Sequence, residues 1–204
     1  MVEPLQLLIL ALLWAGYFGT HSLLASHGCK RWCERRWPRL ARRYRLAYNL
    51  IAVILLIPPL ALTHALAGPP LWRWEGIWKW VADGLAVAAL AGFWLASRAY
   101  DMPSFLGLRP QPPIVEGAPL GLSPLHRHVR HPWYSLGLVL IWTRDMDAAF
   151  LTTALCITLY LIVGSRLEDA KLEKEIGEAY RRYRAAVPGL IPRLRPWRDQ
   201  GETC

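Results

Sequence analysis

The sequence predicts an all-α integral membrane protein with about five transmembrane helices, the fourth and fifth paired as a hairpin, and a C-terminal amphipathic helix. Three observations predict it. Hydrophobic residues make up 54% of the chain and mean hydropathy is +0.20. The apolar residues gather into runs able to cross ~30 Å of hydrocarbon, with charge confined between them. The formal net charge of +9 falls mainly in 30–45, 98–132 and the tail from Arg166, the asymmetry that basic cytoplasmic loops give to membrane proteins. In a soluble chain such a surplus would suggest nucleic acid. At this hydropathy it reports topology, and no nucleic-acid partner is expected.

The first apolar run, Leu5 to Ala25, carries no charge across about 20 positions, enough for one crossing. Glu3 precedes it instead of a basic stretch, and no A-x-A-like site clearly follows, so it reads as a retained helix from Pro4 to Ser26. His21 and Ser22, near its end, read as polar interfacial residues. Between Lys30 and Arg45, eight basic residues face one acid, Glu34; the segment reads as cytoplasmic and facing lipid headgroups.

The second span runs from Tyr44 to Ala67, with a kink expected at Pro58-Pro59, whose ring nitrogens lack donors. Trp72, Trp74, Trp78 and Trp80 then supply an aromatic belt. The third span covers Ile77 to Tyr100, with Asp83 its one acid. A polar loop from Asp101 to Pro124 follows, holding six prolines; a loop this long is usually functional or a linker. From Trp133 to Val163 the apolar pattern resumes, broken by TRDMD at Thr143 to Asp147, which predicts the tight hairpin.

The chain therefore reads as one membrane domain over 1–204, with spans in 1–100, a cytoplasmic loop in 101–132, the hairpin in 133–165 and a cytoplasmic tail in 166–204. The basic loops place the N-terminus outside and the C-terminus inside, as in a bacterial inner membrane, with membrane lipids as surroundings. Cys29 and Cys33 are four apart and form no C-x-x-C motif; Cys156 lies in an apolar run and Cys204 ends the chain. All read as reduced thiols without a structural role.

The tail begins as an amphipathic helix in which Leu172, Ile176, Ala179 or Tyr180, Tyr183 and Val187 recur at spacings of three and four. Glu168 lies one turn before Leu172 on that stripe and is expected to point toward the protein. Asp169 lies about 100° away, nearer the polar face. Pro188 and Pro192 stop the helix.

The stretch LHRHVRHPWY, Leu125 to Tyr134, places His126, Arg127, His128, Arg130 and His131 directly before an apolar run, where charge is costly and needs a reason. Pro132 suits the first turn of the helix that follows. The hairpin brings this group near Glu168 and Asp169, so both signs converge on an apolar bundle, a plausible site for a charged small molecule. Two other readings stay open. His126, His128 and His131 with Glu168 could hold a metal, although spacings of i, i+2 and i+5 share no helical face and demand an irregular loop. Arg130 and Glu168 could instead form an ion pair stitching two helices. No dinucleotide fingerprint, phosphate-binding loop or nucleophile elbow occurs.

RHPWY, then Glu168-Asp169, Leu172, Ile176-Gly177, Tyr180, Tyr183, Val187-Pro188 and Ile191-Pro192, resembles the isoprenylcysteine carboxyl methyltransferase superfamily in register over about residues 123–193. Asp169 stands where the family pattern has a second glutamate, and Ile176 where it has phenylalanine. HSLLAS, YRLAYNL and FLGLR in the N-terminal half are more similar to the NnrU-like and methanethiol S-methyltransferase-like branches. The resemblance implies S-adenosylmethionine bound at the cytoplasmic face between the hairpin and the tail. It implies cofactor contacts from His128, Arg130, His131, Tyr134, Glu168, Asp169 and Tyr180, catalytic roles for Arg130, His131 and Glu168, and no metal. The acceptor it implies is a small thiol or a lipophilic molecule, with His131 or His128 as base if a thiol must ionise. A non-methyltransferase NnrU-like protein with histidine-bound haem or metal is the alternative.

Overall fold

A computed structural model describes residues 2–41, 43–98, 100–109 and 122–198. Cys204 and Pro110, Pro112, Pro113 and Pro119 of the proline-rich loop lie outside the described residues. Among the described residues lie helices α1 (Pro4–Ala25), α2 (His27–Arg36), α3 (Pro38–Ala41), α4 (Tyr44–Ala65), α5 (Ile77–Ser97), α6 (Met102–Leu106), α7 (Pro132–Trp142), α8 (Ala148–Ile176) and α9 (Glu178–Ala186), with a 3-10 turn at Pro124–Arg127. No strand occurs among the described residues, and the protein is all-α.

Four helices, α1, α4, α5 and α8, are long and apolar enough to cross a membrane. The fifth apolar element, α7, has 11 residues and rises about 16 Å, roughly half the hydrocarbon thickness. The two arms expected of the hairpin are thus unequal. The second arm was expected to end near Gly164, with a separate tail helix beyond it. Instead α8 runs unbroken for 29 residues, because no residue from Gly164 to Ile176 stops a helix. The break falls at Gly177, whose φ of 78° places it in the left-handed region that glycine enters without a Cβ penalty. The basic segment after α1 was expected only as a loop; it folds into α2 and α3. Helix α4 continues through Pro58 and Pro59.

The chain divides into two compact units: residues 1–73, 101–111 and 145–158 form one, and 74–100, 112–144 and 159–204 the other. In the first, Leu5, Leu8 and Leu12 of α1 and Val53, Ile54 and Ile57 of α4 are exposed, as lipid-facing residues are. The core gathers around Leu10, Trp14 and Ala149. Here the Trp14 indole N–H donates to Thr153 Oγ1 at 3.0 Å, the Thr153 and Thr63 hydroxyls share a 2.7 Å hydrogen bond, and Thr63 donates to the Pro59 carbonyl at 2.7 Å. That chain satisfies three buried polar side chains and ties α1, α4 and α8 together.

Helix α6 docks on the start of α4. Asn49 Nδ2 donates to the Phe105 and Leu106 carbonyls (3.3 and 2.9 Å) and Arg45 Nε to Phe105 O (2.6 Å). Gly107, at φ 82°, closes α6 so tightly that a Cβ there would lie 2.5 Å from Leu46 N.

In the second unit, the buried face of α5 consists of small residues, Ala82, Ala86, Ala89, Gly92 and Ala96. A Cβ on Gly92 would lie 2.8 Å from Leu136 Cδ2, so glycine sets the approach of α7. Small-residue faces of this kind let membrane helices pack closely where no hydrophobic driving force separates protein from lipid. Phe93 of α5 meets Trp133 of α7 edge to face, centroids 5.4 Å apart.

Thr153→Val keeps the side-chain volume but leaves the buried Trp14 N–H without its acceptor. We expect a loss of about 1–3 kcal/mol, read as a lowered midpoint of unfolding in detergent, with Trp14→Phe costing less in the Thr153→Val background than alone.

Candidate active site

The site lies within the second unit and begins where the chain enters α7. Pro132 at the first helical position forces His131 to cap the helix in a non-helical conformation (φ −116°, ψ 69°). Arg130 and His131 therefore leave the chain just before the helix starts, beside the later part of α8. There, Asp169 is the focus. Its Oδ1 accepts from Arg130 Nε (3.0 Å), His131 Nε2 (2.9 Å) and the Tyr180 hydroxyl (2.6 Å), and its Oδ2 from Arg130 Nη2 (2.6 Å). Four donors on one carboxylate that is only 4% exposed compensate the burial of its charge.

The same arginine holds the tail. Its Nη1 donates to the Arg184 carbonyl at 3.0 Å and to that of Val187. The backbones run together as well: Arg130 N donates to Pro188 O (2.9 Å), His131 N to Gly189 O (3.1 Å), Arg193 N to His128 O (3.0 Å) and Trp197 N to Arg127 O (2.7 Å). Ser135 Oγ donates to Leu190 O at 2.6 Å. Beneath this clasp, Tyr180, Tyr183 and Val187 form a core with Leu172, Ile176 and Trp197. The predicted stripe is real, but two helices share it across Gly177.

The carboxylates exchange the positions expected of them. Asp169 was expected near the polar face and is buried; Glu168 was expected to point inward and its side chain is 44% exposed. The inward line is the buried Ser165 and Asp169 followed by the half-buried Leu172 and Ile176, at spacings of four, three and four, the alternative phase of the same helical pattern. The helix-stitching pair weighed as an alternative for Arg130 and Glu168 is instead made by Arg130 and Asp169.

Glu168 nonetheless stands at the site. Its Oε2 lies 3.5 Å from His131 Nδ1, and Tyr134 is a side-chain hydrogen-bond partner. The His131 and Tyr134 rings stack at 5.4 Å and 15°. Tyr100 and His126 are within electrostatic reach of Glu168 and contact each other, hydroxyl to Nε2, at 3.3 Å. Neither was among the predicted contacts. His126 had been weighed only as a metal ligand, and Tyr100 ends the third apolar run with no neighbouring motif to mark it.

Charge is distributed accordingly. Burial pulls the Arg130 pKa down, but the hydrogen bonds and charge of Asp169 outweigh it and raise it overall. Burial, then the hydrogen bond to Asp169, pushes the Tyr180 phenol up. Burial, reinforced by the charge of His131 and opposed by Glu168, holds His126 below its ordinary value.

The three motif histidines have separate partners: His126 Nδ1 with Ser123 Oγ (2.7 Å), His128 Nδ1 with Arg193 O (2.8 Å), and His131 with Asp169. No three His, Cys, Asp or Glu side chains form a metal-holding group among the described residues. His128 is thus engaged with the tail backbone, while Glu168, His131, Tyr134, Tyr100 and His126 gather beside one another.

Fold and site together define an all-α integral membrane protein with a charged and aromatic side-chain cluster beside its short apolar helix. Comparison with known proteins extends this. A methanethiol S-methyltransferase of a Pseudomonas sp. is 31% identical over 203 residues, covering 93% of this chain and 75% of that protein. That of Pseudomonas deceptionensis is 31% identical over 214 residues (94% and 75%), and that of Mycobacterium tuberculosis 30% over 205 residues (92% and 79%). No protein-family model matches the chain, and no solved structure matches it. The chain belongs to the methanethiol S-methyltransferase family, within the isoprenylcysteine carboxyl methyltransferase-like branch that RHPWY and the tail register resemble, and it is a membrane methyltransferase.

Asp169→Asn keeps the shape but removes the charge that Arg130 is buried against. We expect a loss of about 3–5 kcal/mol, the cost of breaking a buried pair, with Tyr180→Phe nearer 1 kcal/mol. Limited proteolysis after residue 176 reads the released tail.

Proposed function

We propose that the chain transfers a methyl group from S-adenosylmethionine to a small thiol, methanethiol or a close alkanethiol, at the wall formed by Glu168, His131 and Tyr134. The observation that carries this reading is Glu168: a carboxylate open to a ligand yet held between an imidazole and a phenol, next to a second carboxylate that is fully engaged.

The residues fit the methyl donor. S-adenosylmethionine carries an ammonium, ribose hydroxyls, an adenine ring and a sulfonium. The Glu168 carboxylate would hold the ammonium or the ribose. The faces of Tyr134 and Tyr100 offer stacking and cation–π contacts for a base and a cation. Bound there, the donor supplies an electrophilic methyl on sulfur. The chain's own contribution is alignment and exclusion of water, which in favourable cases lowers a barrier by about 7–11 kcal/mol.

A thiol must lose its proton to become the nucleophile. Asp169 accepts the N–H at His131 Nε2 and so fixes the imidazole with Nδ1 toward Glu168. A proton taken up at Nδ1 would meet the Glu168 charge, which suits His131 as base. With the donor held there, the new S–C bond would form as the sulfonium S–C bond breaks, the thiol's proton having been taken up at His131. Arg130, Asp169 and Tyr180 are positioning residues in this account: they hold His131 and the tail. His128 does the same through Arg193.

The basic segments favour an orientation with the site and C-terminus cytoplasmic and the N-terminus outside, in a bacterial inner membrane. An acceptor as apolar as an alkanethiol partitions into lipid and would arrive from that side.

Glu168→Gln tests the reading. Isothermal titration of purified protein with S-adenosylmethionine should give saturable binding for wild type and at least about a tenfold loss for the variant, the value of a charge-assisted contact, with the unfolding midpoint unchanged. Wild-type affinity in Glu168→Gln would remove the carboxylate from the site. Absent binding together with a Soret band would replace the methyltransferase assignment with haem ligation.

A further inference from the structure

The joint between α1 and α4 carries chemistry that methyl transfer does not use. Both helices are long and apolar enough to span a membrane, and only residues 26–43 connect them, so this connection must lie at a bilayer surface. Ser26 caps α2, accepting from Cys29 N at 3.2 Å, and Cys33 is 4% exposed and anchors its inner face. The remaining face is open. Trp32 and Trp37 are 56% and 48% exposed and meet edge to face at 4.9 Å and 88°. Between α2 and α3, Arg36, Trp37, Pro38 and Arg39 line a concave surface of about 570 Å³, and all four are exposed.

Three features select the occupant. Arg36 and Arg39 are two of the four lining residues, and Glu34 is the one acid between Lys30 and Arg45, so the segment's charge selects an anionic ligand. Trp37 and Pro38 complete the lining, so the ligand also carries apolar surface. Exposed tryptophans seat preferentially at the headgroup level, and arginine forks match phosphate bidentately. We propose that this surface binds the headgroup of an anionic phospholipid of the surrounding bilayer, with Arg36 and Arg39 on the phosphate and Trp37 against the glycerol and upper acyl region. The site is independent of the methyl-transfer reading.

Full-length protein in nanodiscs of phosphatidylcholine with graded phosphatidylglycerol tests it, the lipids retained after release being counted by native mass spectrometry. Wild type should retain phosphatidylglycerol over phosphatidylcholine about tenfold or more, the effect of two arginines near an anionic surface. The preference should vanish in Arg36→Gln/Arg39→Gln and persist in Arg36→Lys/Arg39→Lys. Equal retention of both lipids by wild type, which needs no variant to fold, would overturn the proposal. A preference intact in the glutamine variant would place the lipid elsewhere and overturn it too. Displacement of the lipid by inorganic phosphate would mark a soluble-anion site and equally refute it.

Discussion

The Asp169 carboxylate is the constraint from which the site follows. A buried carboxylate costs several kcal/mol in desolvation unless its lone pairs are met, and here Arg130, His131 and Tyr180 meet them at 2.6–3.0 Å. The donors come from two distant parts of the chain: the approach to α7, and α9 beyond the Gly177 break. Satisfying one charge therefore fixes the entry to α7, the later part of α8 and the tail together. Loss of that charge would release all three.

This arrangement also separates two jobs that adjacent acids might share. Asp169 is saturated by protein donors and acts through others. Glu168, one residue earlier and rotated by about 100°, keeps a carboxylate available. Between them His131 is held at Nε2 and faces Glu168 at Nδ1. With one ring nitrogen toward each carboxylate, the imidazole is held on both sides, and the base proposed for the thiol proton is thereby oriented. With the proposed S-adenosylmethionine as donor, positioning would do the rest, since displacement at a sulfonium needs no covalent intermediate with the protein.

Much of this was legible in the sequence. The spans follow from long apolar runs, and α7 from Pro132 and the apolar residues after it. The tail register from Glu168 to Pro192 carried the family resemblance that the relatives bear out. The phase of the α8 stripe was not legible: Leu172 and Ile176 are compatible with either acid facing inward, and only the contact with Arg130 decides between them. Nor was the length of α8, because the polar residues from Arg166 onward read as a new element, whereas a helix leaving a membrane continues until something stops it. Tyr100 and His126 reach the site through tertiary packing, which no local pattern records. Helices α2 and α3 were hidden by their charge, since basic residues in a row read as a loop until their aromatic and cysteine neighbours are placed on a face.

The central claim is methyl transfer to a small thiol, and the most direct measurement is product formation. Purified protein in lipid, given methyl-labelled S-adenosylmethionine and methanethiol, should release labelled dimethyl sulfide into the headspace at a rate that saturates with both substrates. The rate should collapse in Glu168→Gln and fall in His131→Ala. A wild-type preparation that binds S-adenosylmethionine yet releases no labelled sulfide, and instead methylates an added lipid extract, would contradict the thiol assignment.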